Sequence, residues 1–172
     1  MRPPALNRLE PSVTPLRAPG HSLSPAQLAR LVRETATARQ QWQTAVEFSA
    51  RRRWYRRLAI TDDYETWLLT WLPGQRTGFH DHGDASGAFA VVQGDLRETL
   101  ASPLSTRIRY RKARLGSVTS FGGEHLHDVA NVGSAPAVSI HAYSPPLSAM
   151  RQYELTDSGL TVVRTDRAEV DW

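Results

Sequence analysis

The chain has 172 residues, 40% hydrophobic and 22% charged, the balance of one ordinary globular domain. It has no cysteine, which excludes disulfides, thiolate metal sites and a cysteine nucleophile, so any metal must be held by His, Asp or Glu. The net charge of +4 is uneven: basic residues outnumber acidic ones up to residue 57, and the reverse holds beyond it.

Residues 1–22 read as a Pro-rich arm, with Pro3, Pro4, Pro11, Pro15 and Pro19. The arm has no apolar core of the kind a secretory signal needs, and no apolar run in the chain approaches the ~18 residues of a membrane span. The expectation is therefore a cytoplasmic protein with one domain over residues 23–172 and no membrane partner. Ser24-Pro25 is an N-cap followed by proline at the first helical position. With Leu28, Leu31 and Val32 at helical spacing, it predicts a helix over 25–40, followed by a second short one near 44–52. The cluster Arg51, Arg52, Arg53, Arg56, Arg57 reads as a solvated helix end. No nucleic-acid motif accompanies it, so no nucleic-acid partner is expected, and one of these arginines is a candidate for gripping a small anionic substrate.

From Trp54 onward the pattern changes to short β-type runs: Tyr64–Trp71, Ala88–Val92, Leu96–Leu100, Thr106–Arg114, Ser117–Phe121, Asp128–Asn131, Ala137–Tyr143, Gln152–Leu155 and Thr161–Arg164. Turn residues separate them, among them Pro73-Gly74, Gly83-Asp84, Gly94-Asp95, Gly122-Gly123 and Pro145-Pro146. Many short strands with such punctuation predict a mainly β fold, a small barrel or jelly roll carrying one or two N-terminal helices.

Five of the six histidines fall between residues 80 and 141. His80-Asp81-His82 and His125-Leu126-His127 are two His-x-His pairs, and alternate residues of a strand share a face. Each pair can therefore aim two imidazoles at one point, and a closed barrel can bring the pairs together. Three such ligands with open positions make a catalytic rather than a structural centre. The pattern alone does not say which members bind. Asp81 and Glu124 are out of phase with their neighbours, and His21 has no implied partner.

The stretch Leu72-Pro73-Gly74-Gln75-Arg76-Thr77-Gly78-Phe79-His80-Asp81-His82 resembles the first cupin motif, and more narrowly that of the cysteine dioxygenase family. Gly94-Asp95-Leu96-Arg97-Glu98-Thr99, Leu126-His127-Asp128-Val129-Ala130-Asn131 and Val138-Ser139-Ile140-His141-Ala142-Tyr143-Ser144-Pro145-Pro146 resemble the same family in order, over roughly residues 50–155. The resemblance implies a cupin fold and one Fe(2+) per chain, held by His80, His82 and His127. No Glu follows in residues 83–88, so the ligands are three neutral imidazoles, which favours an anionic substrate such as a thiolate. The family's outer triad falls on Ser139, His141 and Tyr143, and its cis peptide on Ser144-Pro145. Its Tyr-x-Arg segment falls on Tyr55-Arg56-Arg57, which selects Tyr55 and Arg57 for the substrate, with Arg56 one residue away. A branch acting on 3-mercaptopropionate has Gln where Arg57 stands. Some members cross-link the tyrosine to a cysteine at the position of Gly87, which this chain cannot do, as in the bacterial type. The activity implied is oxidation of L-cysteine by O2 to cysteine sulfinate, by a monomer whose partners are a small thiol and O2. The alternatives are a dioxygenase of another small thiol, such as 3-mercaptopropionate, and a cupin module that binds metal or a small ligand without turnover.

Overall fold

A computed structural model describes residues 21–102, 105–157 and 159–168; residues 1–20, most of the Pro-rich arm, lie outside them. Helix α1 spans Pro25–Thr37 and begins at a capping box. Gln27 N donates to Ser24 Oγ, and Ser24 N donates to Gln27 Oε1 at 2.8 Å. Such a cap is worth about 1 kcal/mol. Leu28 and Val32 point inward and pack on Ala88, Ala90 and Ala142, whose small side chains leave room for the helix against the sheet.

The helix stops short of the expected residue 40. The Trp42 indole donates to the Thr35 carbonyl at 3.0 Å and folds the chain back through two single 3-10 turns, Arg39–Gln41 and Gln43–Ala45. The second helix expected near 44–52 is absent. Val46 is extended, and the carbonyls that would continue a helical ladder are engaged elsewhere. Thr70 Oγ1 donates to Glu47 O at 2.6 Å, and Gln75 Nε2 donates to Ser49 O at 2.8 Å. The Arg cluster is thus not a helix end: Arg51–Arg53 lie in a connection, and Arg56 and Arg57 lie on a strand.

The strands are β1 (Tyr55–Ile60), β2 (Glu65–Trp71), β3 (Phe79–His80), β4 (Ser86–Gln93), β5 (Leu96–Ser102), β6 (Ser105–Ala113), β7 (Val118–Phe121), β8 (Leu126–Ala130), β9 (Ala137–Ser144), β10 (Ala149–Thr156) and β11 (Gly159–Arg167). They form two antiparallel sheets, ordered β1-β2-β9-β4-β7 and β11-β10-β3-β8-β5-β6. This is the mainly β, two-sheet jelly roll that the strand spacing predicts. The sequence does not predict β1 or β3: β1 carries three charged or small residues in six, Arg56, Arg57 and Ala59, and β3 is too short to show a period.

Strand alternation sorts β4 cleanly. Ala88 and Ala90 face α1, while Phe89 and Val91 face the space between the sheets and join Trp71, Leu96, Val129 and Tyr143 in the core. Fully burying a side chain of this size contributes roughly 1.5–3 kcal/mol. The same core face carries the polar side chains described next, so the apolar packing sets their positions. No helix among the described residues is long and apolar enough to cross a membrane.

Candidate metal centre

Three imidazoles meet between the sheets. β3 pairs with β8 so that His80 lies opposite His127, and His82 follows two residues later, just before the turn at Gly83. Ring centroids are 4.7 Å apart for His80–His127, 4.8 Å for His80–His82 and 5.1 Å for His82–His127. One nitrogen from each lies within 4.8 Å of the others. All three are buried.

Their supports differ. His80 Nδ1 donates to the Gly78 carbonyl at 3.0 Å, which leaves Nε2 with its lone pair. Gly78 is itself fixed: it has a φ of 77°, and its N–H donates to Asp128 Oδ1 at 2.9 Å. Asp128 is buried and also accepts from Arg76 Nη2 at 2.6 Å and from Thr77 Oγ1 at 3.2 Å. His127 Nδ1 donates to Glu98 Oε1 at 2.8 Å. His82 has no hydrogen bond at either nitrogen, although both are enclosed. Its ring is instead stacked between Phe121 and Tyr143, with centroids 5.1 and 5.0 Å away.

A buried imidazole with two idle nitrogens is costly in a finished core. A cation at the meeting point of the three rings removes that cost. Burial pulls His80 and His82 well below the ordinary histidine range, helped by His127 in the first case and by His80 and His127 in the second; burial also lowers His127, against the pull of Glu98. All three therefore offer lone pairs rather than protons at neutral pH. The donor set fits a borderline transition metal such as iron.

Asp81, between the two imidazoles, faces away as its phase requires. It accepts from Tyr153 Oη at 2.6 Å and Arg151 Nε at 2.7 Å, and so ties the pair to β10. Glu124 is exposed. His125 does not join the three rings: it stacks on Phe121 at 4.1 Å and donates to Glu98 Oε1 at 2.8 Å.

Beside the centre, β9 presents Ser139, His141 and Tyr143 on one face, opposite Leu69, Trp67 and Glu65 of β2. Trp71 Nε1 donates to Ser139 Oγ at 2.8 Å, and Ser139 Oγ lies 2.8 Å from His141 Nε2. His141 Nδ1 lies 3.2 Å from Tyr143 Oη. An indole can only donate, and the acceptor in reach of the Ser139 proton is His141 Nε2. The chain is then directional: Ser139 donates to His141, Nδ1–H donates to Tyr143, and the Tyr143 proton is free to donate outward. Burial, with the nearby His127 and Arg53, pulls His141 down to about 3, so the ring is neutral. Burial pushes the Tyr143 hydroxyl up, so it keeps its proton.

A cavity of about 340 Å³ opens on this arrangement, lined by His80, His141, Tyr143, Tyr55, Trp67 and Arg53 among others. That size suits a small molecule. Arg57 is not among the lining residues. It stacks on the Trp67 ring at 5.4 Å and reaches Glu65 Oε2 at 3.8 Å. Arg53 lies over the Trp71 ring at 4.8 Å, and its enclosed Nε has no hydrogen-bond partner. The sequence reading missed Arg53, Trp71 and Glu98. Position within the Arg cluster carries no mark of which member turns inward, whereas Glu98 was legible as a lone acid at an apolar phase of β5. The Ser144-Pro145 bond is cis. A Cβ at Gly87 would lie 2.4 Å from the Phe121 ring, so the ring fills the space in front of Tyr143 that a larger residue would need.

A profile of the family described as cysteine dioxygenase type I matches residues 23–156. Cysteine dioxygenase type 1 of Danio rerio is 34% identical over 99 residues, which cover 51% of this chain and 48% of that protein. The chain thus spans about half the length of the curated relatives it matches. Among solved structures, a Klebsiella pneumoniae protein with a double-stranded β-helix domain superposes with a TM-score of 0.52 at 15% identity, covering 71% of this chain and 93% of that one. An RmlC-like cupin protein from Desulfovibrio desulfuricans gives 0.50 at 17% identity, covering 59% and 91%. These two likenesses show the cupin fold.

Proposed function

The chain belongs to the cysteine dioxygenase type I family, and we propose on that premise that it is an Fe(2+)-dependent thiol dioxygenase converting L-cysteine and O2 to cysteine sulfinate. The observation that carries the reading is the buried group His80, His82 and His127, opening on a small cavity beside Tyr143. The reaction adds both oxygen atoms to sulfur and releases no other product, so the protein need supply no leaving-group chemistry. The ferrous ion, when bound, supplies a Lewis acid for the thiolate and the one-electron chemistry that O2 requires.

This chain's residues do the rest. Three neutral imidazoles leave a dication's charge unneutralised, which favours the thiolate over the thiol. Tyr143, oriented through Ser139 and His141, donates a hydrogen bond toward the oxygen that reacts. Arg53 lines the cavity with an idle donor and holds the substrate carboxylate; Arg57, the arginine of the Tyr-x-Arg segment, stands behind Trp67 and is the second candidate. Tyr55 and Trp67 form the apolar wall between them, their rings 5.8 Å apart.

The test is oxygen uptake by the iron-loaded protein, with product identification, on L-cysteine, cysteamine and 3-mercaptopropionate. The highest kcat/KM is expected for L-cysteine, with sulfinate formed in equal amount to the O2 consumed. A clear preference for 3-mercaptopropionate would move the activity to that thiol. Stoichiometric iron with no uptake on any thiol would make the protein a binding module.

A further inference from the structure

Each ligand of the metal centre has a different support, and that of His127 is charged. Glu98 lies on β5, where Leu100 pairs with His127 and Glu98 with Val129, so its side chain shares the inward face of β8. Its carboxylate is buried, and each oxygen is in use. Oε1 accepts from His127 Nδ1 and His125 Nε2, both at 2.8 Å; Oε2 accepts from Arg111 Nε at 2.9 Å and also from its Nη2. Burial works to raise the Glu98 carboxyl. The hydrogen bonds from His125, His127 and Arg111 outweigh it and hold the group ionised, well below the usual carboxylate range.

A fixed anion that accepts from Nδ1 decides which nitrogen of His127 carries the proton. With Nδ1–H committed to Glu98, the lone pair sits on Nε2, and polarisation by the carboxylate makes that nitrogen a stronger donor to a cation. The same geometry explains why one member of the second His-x-His pair turns in. His125 Nε2 lies 3.1 Å from His127 Nδ1, against the same Glu98 oxygen.

We propose that Glu98 is a positioning residue of the metal centre, fixing His127 as an Nε2 ligand through Nδ1–H, while His125 and Arg111 anchor the carboxylate rather than bind metal. The inference rests on the metal reading above, and deepens it by naming the group that sets metal affinity. A rival arrangement uses the same atoms: Glu98, His125 and His127 are also close enough to hold an ion themselves. It would need His127 to face the ion with Nδ1, the nitrogen already committed.

The experiment uses Co(2+) as probe, by chelator competition on the full chain. Glu98→Gln keeps the shape and removes the charge. It should lower Co(2+) affinity about 10–100-fold, the usual effect of losing such a partner, with one Co(2+) still bound per chain. His125→Phe, which preserves the stack on Phe121, should change affinity less than about threefold, as an anchor outside the ligand set. Unchanged affinity in Glu98→Gln overturns the proposal. A loss in His125→Phe as large as in Glu98→Gln overturns it in favour of the rival site. Should Glu98→Gln not fold, nitrogen NMR of the unmutated Zn(2+)-loaded protein decides the matter. A proton on Nδ1 of His127 supports the proposal, and one on Nε2 overturns it. Failure of the unmutated protein to bind any Co(2+) would instead remove the metal reading itself.

Discussion

The two His-x-His pairs have the same spacing and different fates. In His80-Asp81-His82 both rings reach the centre, because the chain stays extended past β3, with Asp81 N–H donating to Arg151 O, and turns only at Gly83, so alternation carries His82 to the face of His80, beneath Phe121 and Tyr143. In His125-Leu126-His127 only His127 does, because β8 starts at Leu126 and His125 still belongs to the preceding turn, its N–H donating to Gly122 O. One pair lies ahead of its turn and the other is divided by one. Alternation gives two side chains a common face only while the chain through both stays extended.

The largest effects should separate the pairs outright. His80→Ala, His82→Ala and His127→Ala should each leave the purified protein with almost no iron by elemental analysis, while His125→Ala keeps most of it. Iron lost from His125→Ala and retained by His127→Ala would reverse the assignment. Next in size, Tyr143→Phe removes the outward donor while leaving the ring stacked on His82. Iron content should hold and turnover should fall about 10²-fold, the usual result of deleting one preorganised donor. Unchanged kcat at saturating cysteine would reduce Tyr143 to a wall of the His82 sandwich.

A smaller effect is expected at the far end of the cavity. Arg53→Met should raise KM for cysteine about 10–100-fold, as losing a charge-assisted pair of roughly 1.5–3 kcal/mol implies, and should leave cysteamine, which has no carboxylate, nearly unaffected. Arg57→Met should do less. The reverse order would return the carboxylate to Arg57, and equal losses for both thiols would mean that the arginine supports the fold.

The last effect is on the metal-free protein. His80, His82, His127 and His141 all have pKa values lowered in the fold, burial first among the causes. The unfolded chain takes up protons near the ordinary 6.5 while the folded one does not. The stability these groups contribute is therefore fully present above that pH and lost as pH falls below it. The slope is at most about 1.4 kcal/mol per pH unit for each histidine. Urea midpoints of the metal-free protein at pH 7.5, 6.5 and 5.5 should decline in that order, and less steeply in His82→Phe. A flat series would mean that these histidines accept protons in the fold.

Much of this was written in the chain. Short alternating runs split by Gly and Pro specify a two-sheet β fold, because strand periodicity and turn chemistry act over a few residues. Ser24-Pro25 marks the start of α1 for the same reason. The family motifs single out His80, His82 and His127, whose rings meet between the sheets, and Ser139, His141 and Tyr143, which line one strand face. What needed tertiary structure is everything settled between segments distant in sequence. Glu47 and Ser49 spend their carbonyls on Thr70 and Gln75, which cancels the expected second helix. Trp71 starts the hydrogen-bond chain that aims Tyr143 from 68 residues before Ser139. Arg53 rather than Arg57 enters the cavity, because Trp67 and Glu65 hold the second guanidinium aside. Hydrogen bonds and ring contacts between strands are made by register and packing, and a local pattern carries no record of which partner the fold will deliver.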